Sequence, residues 1–321
     1  MRALITGGAG FIGSHLADRL VRDGNEVWAL DDLSTGTIRN VDHLNDCANF
    51  HFRLGSVTDE DLVGPMVDRV DVVFHLAAAV GVKLIVTNPT RTLETNIRGS
   101  EVVLRAAAKK GKLTVIASSS EVYGKAPKVP YAEDDDLLLG PTVKSRWGYA
   151  CSKAMDEYLA LAYARERNLP VLLARFFNTV GPRQTGRYGM VLPTFVRQGL
   201  GGEDITVYGT GEQQRCFGYV DDVIEALLRL VATPAALGQV FNVGSNEEIS
   251  INQLAELVRV RTGGRSRIAH IPYGEAYDEG FEDLLRRVPD VSKLERLVGF
   301  RPRTPVATIV DRVIEYMTAH D

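Results

Sequence analysis

The chain has 321 residues, of which 45% are apolar and 24% are charged, and its formal net charge at pH 7 is −4. This length allows one large domain or two moderate ones with a substantial core. The sequence contains no basic run or basic domain, which excludes an extended nucleic-acid-binding surface. Cys47, Cys151 and Cys216 lack metal-ligand spacing, which argues against a zinc site or a disulfide framework.

The first residues, "MRALITGGAG", place glycines where a signal peptide has its apolar core. No apolar run reaches the roughly 18 residues of a membrane span. We therefore expect a soluble cytoplasmic protein with neither a membrane nor a nucleic-acid partner. The acidic run at 133–136 has no accompanying histidine or ordered ligand spacing, so we expect a solvated loop there and no metal site.

Apolar, strand-like segments alternate with stretches of helical periodicity. The predicted strands are 2–6, 26–32, 49–54, 70–77, 113–119, 170–178 and 239–244. The predicted helices include 14–24, 99–111 and 149–167, and the first two end at a glycine. This alternation, with strands of the buried type, predicts an α/β fold with a doubly wound parallel sheet and right-handed crossovers.

The composition changes after Asn178. Segment 181–212 is rich in glycine and proline, and segment 245–305 mixes short helices with proline-containing loops. We predict that residues 1–178 form the first domain and that 213–244 return to it. Residues 179–212 and 245–321 are predicted to form a smaller α/β substrate-binding lobe over the carboxyl edge of the sheet.

The stretch "TGGAGFIGSHL" places Gly7, Gly10 and Gly13 between a predicted strand and a helix. These glycines permit a tight turn in which backbone N–H groups approach a pyrophosphate at the helix N-terminus. The second predicted strand ends in Asp31 and Asp32, at the distance expected for a carboxylate that binds an adenosine ribose. Because a carboxylate there disfavours a 2′-phosphate, the pattern predicts NAD rather than NADP.

The stretch "YACSK" places Tyr149 and Lys153 on one face of a predicted helix. A nearby ammonium, together with the cationic nicotinamide ring of NAD⁺, favours the phenolate and is expected to lower the pKa of Tyr149. Tyr149 is then a candidate base for a hydroxyl proton near neutral pH. A tyrosine and a lysine at this spacing are frequent by chance. They indicate a catalytic pair only together with the glycine turn and the serines described next.

The stretch "SSSEVYG" at 118–124 follows a predicted buried strand. In an open parallel sheet, ligands bind at the carboxyl ends of the strands. Ser119, Ser120 and Glu121 are therefore candidate catalytic residues beside Tyr149 and Lys153.

Seven motifs, in order, resemble those of the extended short-chain dehydrogenase/reductase family of nucleotide-sugar epimerases, dehydratases and decarboxylases: "GGAGFIGSHL", "DDLSTG", "VFHLAAA", "SSSEVYG", "YACSK", "RFFNTVGPR" and "RCFGYVDDV". The resemblance covers essentially the whole chain. It implies a Rossmann-type fold and a tightly held NAD⁺ that oxidises the sugar of a UDP-sugar substrate at C4 and usually returns the hydride. It also implies a homodimer, in which each subunit contributes the helices at 99–110 and 149–167.

Residue by residue, the resemblance implies two sets of contacts. The cofactor set is Gly7, Gly10, Phe11, Ile12, Gly13, Asp31, Asp32, Ser34, Thr35, Gly36, Ser56, Val57, Leu76, Ala77, Ala78, Asn96, Tyr149, Lys153 and Phe176. The substrate set is Asn178, Arg187, Val191, Val207, Tyr208, Arg215 and Arg287, in which Asn178 and Arg215 would hold the nucleotide diphosphate. Relatives usually have an aspartate where this chain has Ser56, so one adenine contact departs from the family pattern.

The role of Glu121 depends on which reaction the protein catalyses. A 4-epimerase needs Tyr149, Lys153 and a serine, and leaves Glu121 idle. A 4,6-dehydratase needs a base for the C5 proton, which Glu121 can supply. In a UDP-glucuronate decarboxylase, oxidation at C4 creates a β-keto acid that loses CO₂ readily, and a serine with Glu121 can position the C6 carboxylate and manage protons on the enolate.

The stretches "KSRWGYACSK" and "QRCFGYVDDVIEAL" are most similar to those of the UDP-glucuronate decarboxylases, and "RRVPDVSK" matches their Arg-x-Pro segment. That segment implies that Arg287 lies near the sugar, where its planar fork can pair with a carboxylate. Those enzymes usually have Thr-Ser-Glu where this chain has Ser119, Ser120 and Glu121.

We therefore predict a UDP-glucuronate decarboxylase that forms a UDP-4-keto-pentose, and re-reduction to UDP-xylose is left open. The alternatives are a 4-epimerase of UDP-glucose or UDP-glucuronate, then a nucleotide-sugar 4,6-dehydratase. A protein of a different class, which senses NAD without turnover, is the remaining alternative.

Overall fold

The computed structural model describes residues 1–81, 88–186, 189–272, 274 and 284–320. The described strands are β1 (Arg2–Thr6), β2 (Glu26–Asp31), β3 (Phe50–Leu54), β4 (Val72–His75), β5 (Leu113–Ser119), β6 (Val171–Phe176), β7 (Thr179–Val180), β8 (Ile205–Tyr208), β9 (Gln214–Cys216), β10 (Gly218–Tyr219), β11 (Gln239–Val243), β12 (Glu248–Ser250), β13 (Ile268–Ile271) and β14 (Arg286–Arg287). The described α-helices are α1 (Phe11–Arg22), α2 (Glu60–Arg69), α3 (Pro89–Ala108), α4 (Arg146–Arg167), α5 (Val191–Gly201), α6 (Val220–Val231), α7 (Ile251–Arg261), α8 (Ser292–Val298) and α9 (Val306–His320).

Among the described residues, seven strands form the main sheet in the order β11-β6-β5-β4-β1-β2-β3. Every neighbouring pair in this sheet is parallel. The prediction of a doubly wound parallel sheet is confirmed, and each predicted strand segment contains one of its strands. Because the chain order reverses between β1 and β4, a crevice opens at the carboxyl ends of the strands there.

Both faces of this sheet are covered by helices. Helices α1 and α6 pack on one face through residues such as Leu16, Leu20 and Leu227. Helices α2 and α3 pack on the other face through residues such as Val67 and Val103. Strands buried on two faces require apolar side chains at successive positions, which is why they are continuous apolar runs in the sequence.

The helix boundaries differ from the predicted ones in a way that matters for function. The helix predicted at 99–111 is longer and begins at Pro89, a residue that is favourable in a first helical turn. The helix predicted at 149–167 begins at Arg146, which places this arginine one turn before Tyr149. None of the described helices is both long enough and apolar enough to cross a membrane.

The second half of the chain builds a smaller region from short strands and three helices. Its core contains Leu192 and Phe195 of α5, Leu254 of α7 and Ile309 of α9. Strand β14 pairs in parallel with β9, so that Arg287 lies in register with Arg215. Strand β11 returns to the main sheet beside β6.

Candidate active site

A cleft of about 770 Å³ lies at the carboxyl ends of the parallel strands. This volume is within the range of about 300–1,000 Å³ that is typical of small-molecule sites. Every described residue that was predicted to be catalytic or to contact a ligand lines this cleft except Gly36, Ser56, Asn96 and Val207. Arg187 lies outside the described residues.

Two of the residues that do not line the cleft support its wall from behind. Asn96 is buried, accepts a hydrogen bond from the Ala79 N–H at 2.8 Å and donates one to the Ser152 hydroxyl at 3.3 Å. It therefore joins α3 to α4 and to the loop after β4. A Cβ on Gly36 would lie 2.9 Å from the Ala9 carbonyl, so Gly36 packs directly against the glycine turn.

The other two are removed from the cleft by local geometry. The Ser56 hydroxyl bonds to the Thr58 hydroxyl at 2.8 Å. Val207 is fully buried in the core of the smaller region, whereas its neighbour Tyr208 lines the cleft. Because successive side chains of a strand point to opposite faces, β8 can present only one of these two residues to a ligand.

The glycine turn after β1 is tightly constrained. Gly7 has φ +72°, and a Cβ on Gly13 would lie 2.1 Å from the Gly7 carbonyl oxygen, so neither position accepts a larger residue without rearrangement. No described side chain caps helix α1 at Gly10. The first N–H groups of the helix therefore face the cleft and can bind an anion.

Asp31 connects the glycine turn to the end of β2 through hydrogen bonds. Its carboxylate accepts hydrogen bonds from the Ala9 N–H at 3.0 Å and from the Leu33 N–H at 2.8 Å. Burial raises the pKa of Asp31, and these N–H groups offset part of that effect. The glycine turn, the uncapped helix end and this carboxylate together fit a dinucleotide cofactor.

Tyr149 and Lys153 are both buried on α4. Burial raises the pKa of Tyr149, and the lowering expected from the nicotinamide charge of bound NAD⁺ stays a prediction. The attraction of Lys153 and a hydrogen bond with Ser119 offset the effect of burial only in part. The cause is desolvation, which disfavours a phenolate in an apolar environment.

The serines occupy the end of β5 and the turn that follows it. The Ser119 hydroxyl accepts a hydrogen bond from the Glu121 N–H at 3.3 Å, at the start of the 3-10 turn Ser120–Tyr123. Ser120 is the next residue, and it is buried. The turn directs Glu121 toward the cleft beside Tyr149.

Glu121 is ion-paired with two arginines from distant parts of the chain. Arg146 Nη2 donates to Glu121 Oε2 at 3.0 Å, and Arg287 Nη1 donates to Oε1. Burial disfavours the charged form, yet Arg287 and Arg146 lower the pKa of Glu121 to about 2. A carboxylate with so low a pKa is a weak proton acceptor, so the geometry favours a positioning role for Glu121 over the acid-base role expected from sequence.

Arg287 reaches this site through backbone pairing. Besides the register of β14 with β9, Tyr131 N–H donates to the Val288 carbonyl at 2.9 Å, and Asp290 N–H donates to the Tyr131 carbonyl at 2.8 Å. Arg287 Nη2 also contacts Asn178 Oδ1 at 3.4 Å. The structure thus brings together three residues of the predicted substrate set, Asn178, Arg215 and Arg287.

Sequence reasoning missed two charged residues of the site, Arg146 and Asp156. Arg146 lies three positions before Tyr149, and Asp156 lies three positions after Lys153, where its carboxylate accepts a hydrogen bond from the Lys153 ammonium at 2.7 Å. Residues spaced by three or four positions share a helix face. A helix start placed at Arg146 would have revealed the arginine, whereas Asp156 already lay within the predicted helix, where its spacing from Lys153 was the available signal.

Comparisons with known proteins agree with this geometry. The chain matches the NAD dependent epimerase/dehydratase family over residues 3–244. It is 43% identical over 302 residues to a UDP-N-acetyl-alpha-D-glucosaminuronate decarboxylase of Bacillus cytotoxicus, with 94% of this chain and 92% of that protein covered. It is 36% identical over 315 residues to UDP-glucuronic acid decarboxylase 1 of Xenopus tropicalis, with 98% of this chain and 72% of the relative covered.

Among solved structures, the fold is similar to that of the UDP-glucuronic acid 4-epimerase from Bacillus cereus, solved in complex with UDP-glucuronic acid and NAD. The TM-score is 0.89 at 26% sequence identity, and all of both chains is covered. The family model matches most of the chain. Both curated relatives are at least 36% identical to this chain over nearly all of its length. The chain therefore belongs to the NAD-dependent epimerase/dehydratase family.

Proposed function

We propose that this protein is an NAD-dependent decarboxylase of UDP-linked uronic acids, with UDP-glucuronate as substrate and a UDP-4-keto-pentose as first product. The observation that carries the proposal is a cationic cluster on the cleft wall beside Tyr149. Arg146, Arg215 and Arg287 line the cleft and act electrostatically on the carboxylate of Glu121. Guanidinium groups at a cleft wall can also pair with the carboxylate of a sugar.

The first step is oxidation at C4 of the sugar. The glycine turn and Asp31 would hold NAD⁺, which would supply the hydride acceptor for C4 when bound. Tyr149 takes the proton of the C4 hydroxyl, and the Ser119 hydroxyl, which is hydrogen-bonded to Tyr149, supports that transfer. The Lys153 cation stabilises the phenolate that burial alone would disfavour.

The second step is loss of CO₂. A ketone at C4 makes the C6 carboxylate part of a β-keto acid, so the C5–C6 bond breaks and its electron pair passes toward the ketone as an enolate. Arg287 and Arg146 can hold the departing carboxylate and the developing enolate charge. Glu121 keeps both guanidiniums at the cleft wall, and a proton from solvent water then adds at C5.

UDP-N-acetylglucosaminuronate is a second candidate substrate. It is favoured by the 43% identity to the Bacillus cytotoxicus enzyme, which exceeds the 36% identity to the Xenopus enzyme that is named for UDP-glucuronate. Both sugars carry the C6 carboxylate that the arginines would recognise. They differ at C2, which takes no part in the bond changes above.

The proposed function is tested by the mass of the products. We expect UDP-glucuronate or UDP-N-acetylglucosaminuronate, incubated with the protein and NAD⁺, to yield a nucleotide sugar that has lost CO₂. The 4-keto product is lighter by CO₂ and two hydrogens and appears with NADH, whereas a re-reduced product is lighter by CO₂ alone. UDP-glucose, which lacks the carboxylate, should yield no such product. A product of unchanged mass with inverted C4 would instead identify an epimerase, loss of water from a neutral sugar would identify a dehydratase, and no turnover would favour an NAD-sensing protein.

Replacing Tyr149 with phenylalanine removes the phenol oxygen that would accept the proton and keeps the aromatic ring. We expect Tyr149→Phe to lower the rate at which the uronate substrate reduces NAD⁺ by about 10²-fold to 10⁴-fold. The amount of NAD retained through purification should be unchanged. Tyr163→Phe is the matched control, because Tyr163 lies on the same helix and does not line the cleft. Near-normal turnover by Tyr149→Phe would disprove its role.

Glu121 acts after the oxidation step if the proposal is correct. We expect Glu121→Gln to lower CO₂ release by about 10²-fold while lowering the initial formation of NADH much less, because the arginines lose the charge that holds them in position. Glu133→Gln is the control, since Glu133 does not line the cleft and accepts a hydrogen bond from the Asn242 N–H that glutamine can also accept. Equal losses in both steps would contradict this order of events.

The predicted contact sets and the division into lobes are also parts of this proposal. The division assigns residues 1–178 with 213–244 to the cofactor domain, and 179–212 with 245–321 to the substrate lobe. It is supported by the position of β11 at the edge of the main sheet and by the separate core around Leu254 and Ile309.

We also propose that the protein is a homodimer in the cytoplasm. Apolar side chains are exposed on the adjacent helices α3 and α4, namely Ile97 at 40%, Met155 at 50% and Tyr158 at 62%. Such a surface suits a partner subunit. All three cysteines lie in the described part of the chain and are free thiols, as is usual in a reducing compartment.

The dimer can be tested by light scattering at working concentration. We expect a dimer for the wild type and a monomer for Met155→Glu, because a charge would be buried at the contact. Val260→Glu is the control, since Val260 is exposed on helix α7, away from α3 and α4. A wild-type monomer would refute the proposed assembly.

A further inference from the structure

A buried carboxylate contacts Lys153 and has no role in the steps derived above. The Lys153 Nζ donates to Asp156 Oδ2 at 2.7 Å, and the two side chains are 3% and 1% exposed. A buried ammonium without a partner tends to lose its proton, because burial penalises the charged form. The cation that Tyr149 requires therefore depends on what neutralises it.

Other ionisable groups face this pair from three further elements. His75 on β4 is buried, bonds to the Thr6 and Ser100 hydroxyls, and has a pKa lowered to about 3 by burial and by Lys153, so it is neutral. Glu157 on α4 is paired with Arg175 of β6 at 2.7 Å.

Glu121 faces Tyr149 from the 3-10 turn and is ion-paired with Arg146 and Arg287. Both neighbouring glutamates thus have guanidinium partners of their own. Among the described residues, Asp156 is the carboxylate that bonds directly to Lys153.

We propose that Asp156 is a positioning residue, whose carboxylate keeps Lys153 cationic and fixes its ammonium one helical turn from Tyr149. The role rests on the proposed function of Tyr149 and Lys153. Tyr149, Lys153 and Asp156 follow one another at spacings of four and three on α4. The proposed base, its neighbouring cation and the carboxylate that binds this cation therefore lie on one helix face.

The protonation of Lys153 agrees with this arrangement. Burial alone would lower the pKa of Lys153, but the charge and hydrogen bond of Asp156, together with Tyr149, raise it above its ordinary value. Removing the Asp156 charge leaves burial dominant. The pKa of Lys153 should then fall, and Lys153 should lose its proton at a lower pH than in the wild type.

The experiment is a pH profile of the single-turnover rate of NADH formation from the uronate substrate. We expect Asp156→Asn, which keeps the shape and one acceptor oxygen, to lower the maximal rate by roughly 10-fold to 10²-fold. Its alkaline limb, where Lys153 loses its proton, should move to lower pH. Asp156→Glu restores the charge and should move that limb back toward its wild-type position.

Glu166→Gln is the matched control, because it removes a carboxylate from an exposed position farther along the same helix and should leave the profile unchanged. An Asp156→Asn profile with the wild-type limbs overturns the proposal. A shift of the acid limb alone also overturns it, since that would mean that Asp156 acts on Tyr149 and not on Lys153. A wild type that forms no NADH from either uronate contradicts the proposed function itself and, with it, this role.

Thermal unfolding provides a second test that does not depend on activity. Lys153→Met leaves the Asp156 carboxylate buried without its partner, which is costly, whereas Lys153→Met with Asp156→Asn removes both charges. We expect the double variant to unfold at a higher temperature than Lys153→Met alone. A double variant that is no more stable than Lys153→Met would show that the two side chains are not coupled, and would overturn the proposal even if Asp156→Asn alone fails to fold.

Discussion

All strands of the main sheet run in the same direction, and the site depends on this constraint. Their carboxyl ends meet at one edge, so segments far apart in the sequence arrive side by side. The glycine turn follows β1, Asp31 ends β2, the serines end β5 and Asn178 follows β6. Each element contributes one or two polar groups, and the reversal of strand order beside β1 leaves space for a ligand between them.

The second constraint is the burial of charge. The cleft wall carries Glu121, Arg146, Lys153 and Arg287 at low exposure, where an unpaired charge is costly. Pairing offsets this cost. Glu121 pairs with two guanidiniums and Asp156 pairs with the ammonium, so the cations of the site depend on neighbouring carboxylates.

The third constraint is the connection between the two halves of the chain. Arg287 reaches Glu121 because β14 pairs with β9 and because the backbone of Val288 and Asp290 bonds to Tyr131. The guanidinium that we propose binds a substrate carboxylate is thereby positioned by regular backbone pairing. Such pairing limits the positions available to the guanidinium more than a loop would.

The sequence by itself determined the parallel sheet, the glycine turn with Asp31, and the spacing of Tyr149 and Lys153, because these depend on local periodicity and on short-range backbone geometry. It did not determine that Val207 faces away from the cleft, that Arg146 opens helix α4, or that Asp156 pairs with Lys153. Only the tertiary structure decided these points, because the protonation and pairing of a side chain depend on its burial and on partners that are distant in the sequence.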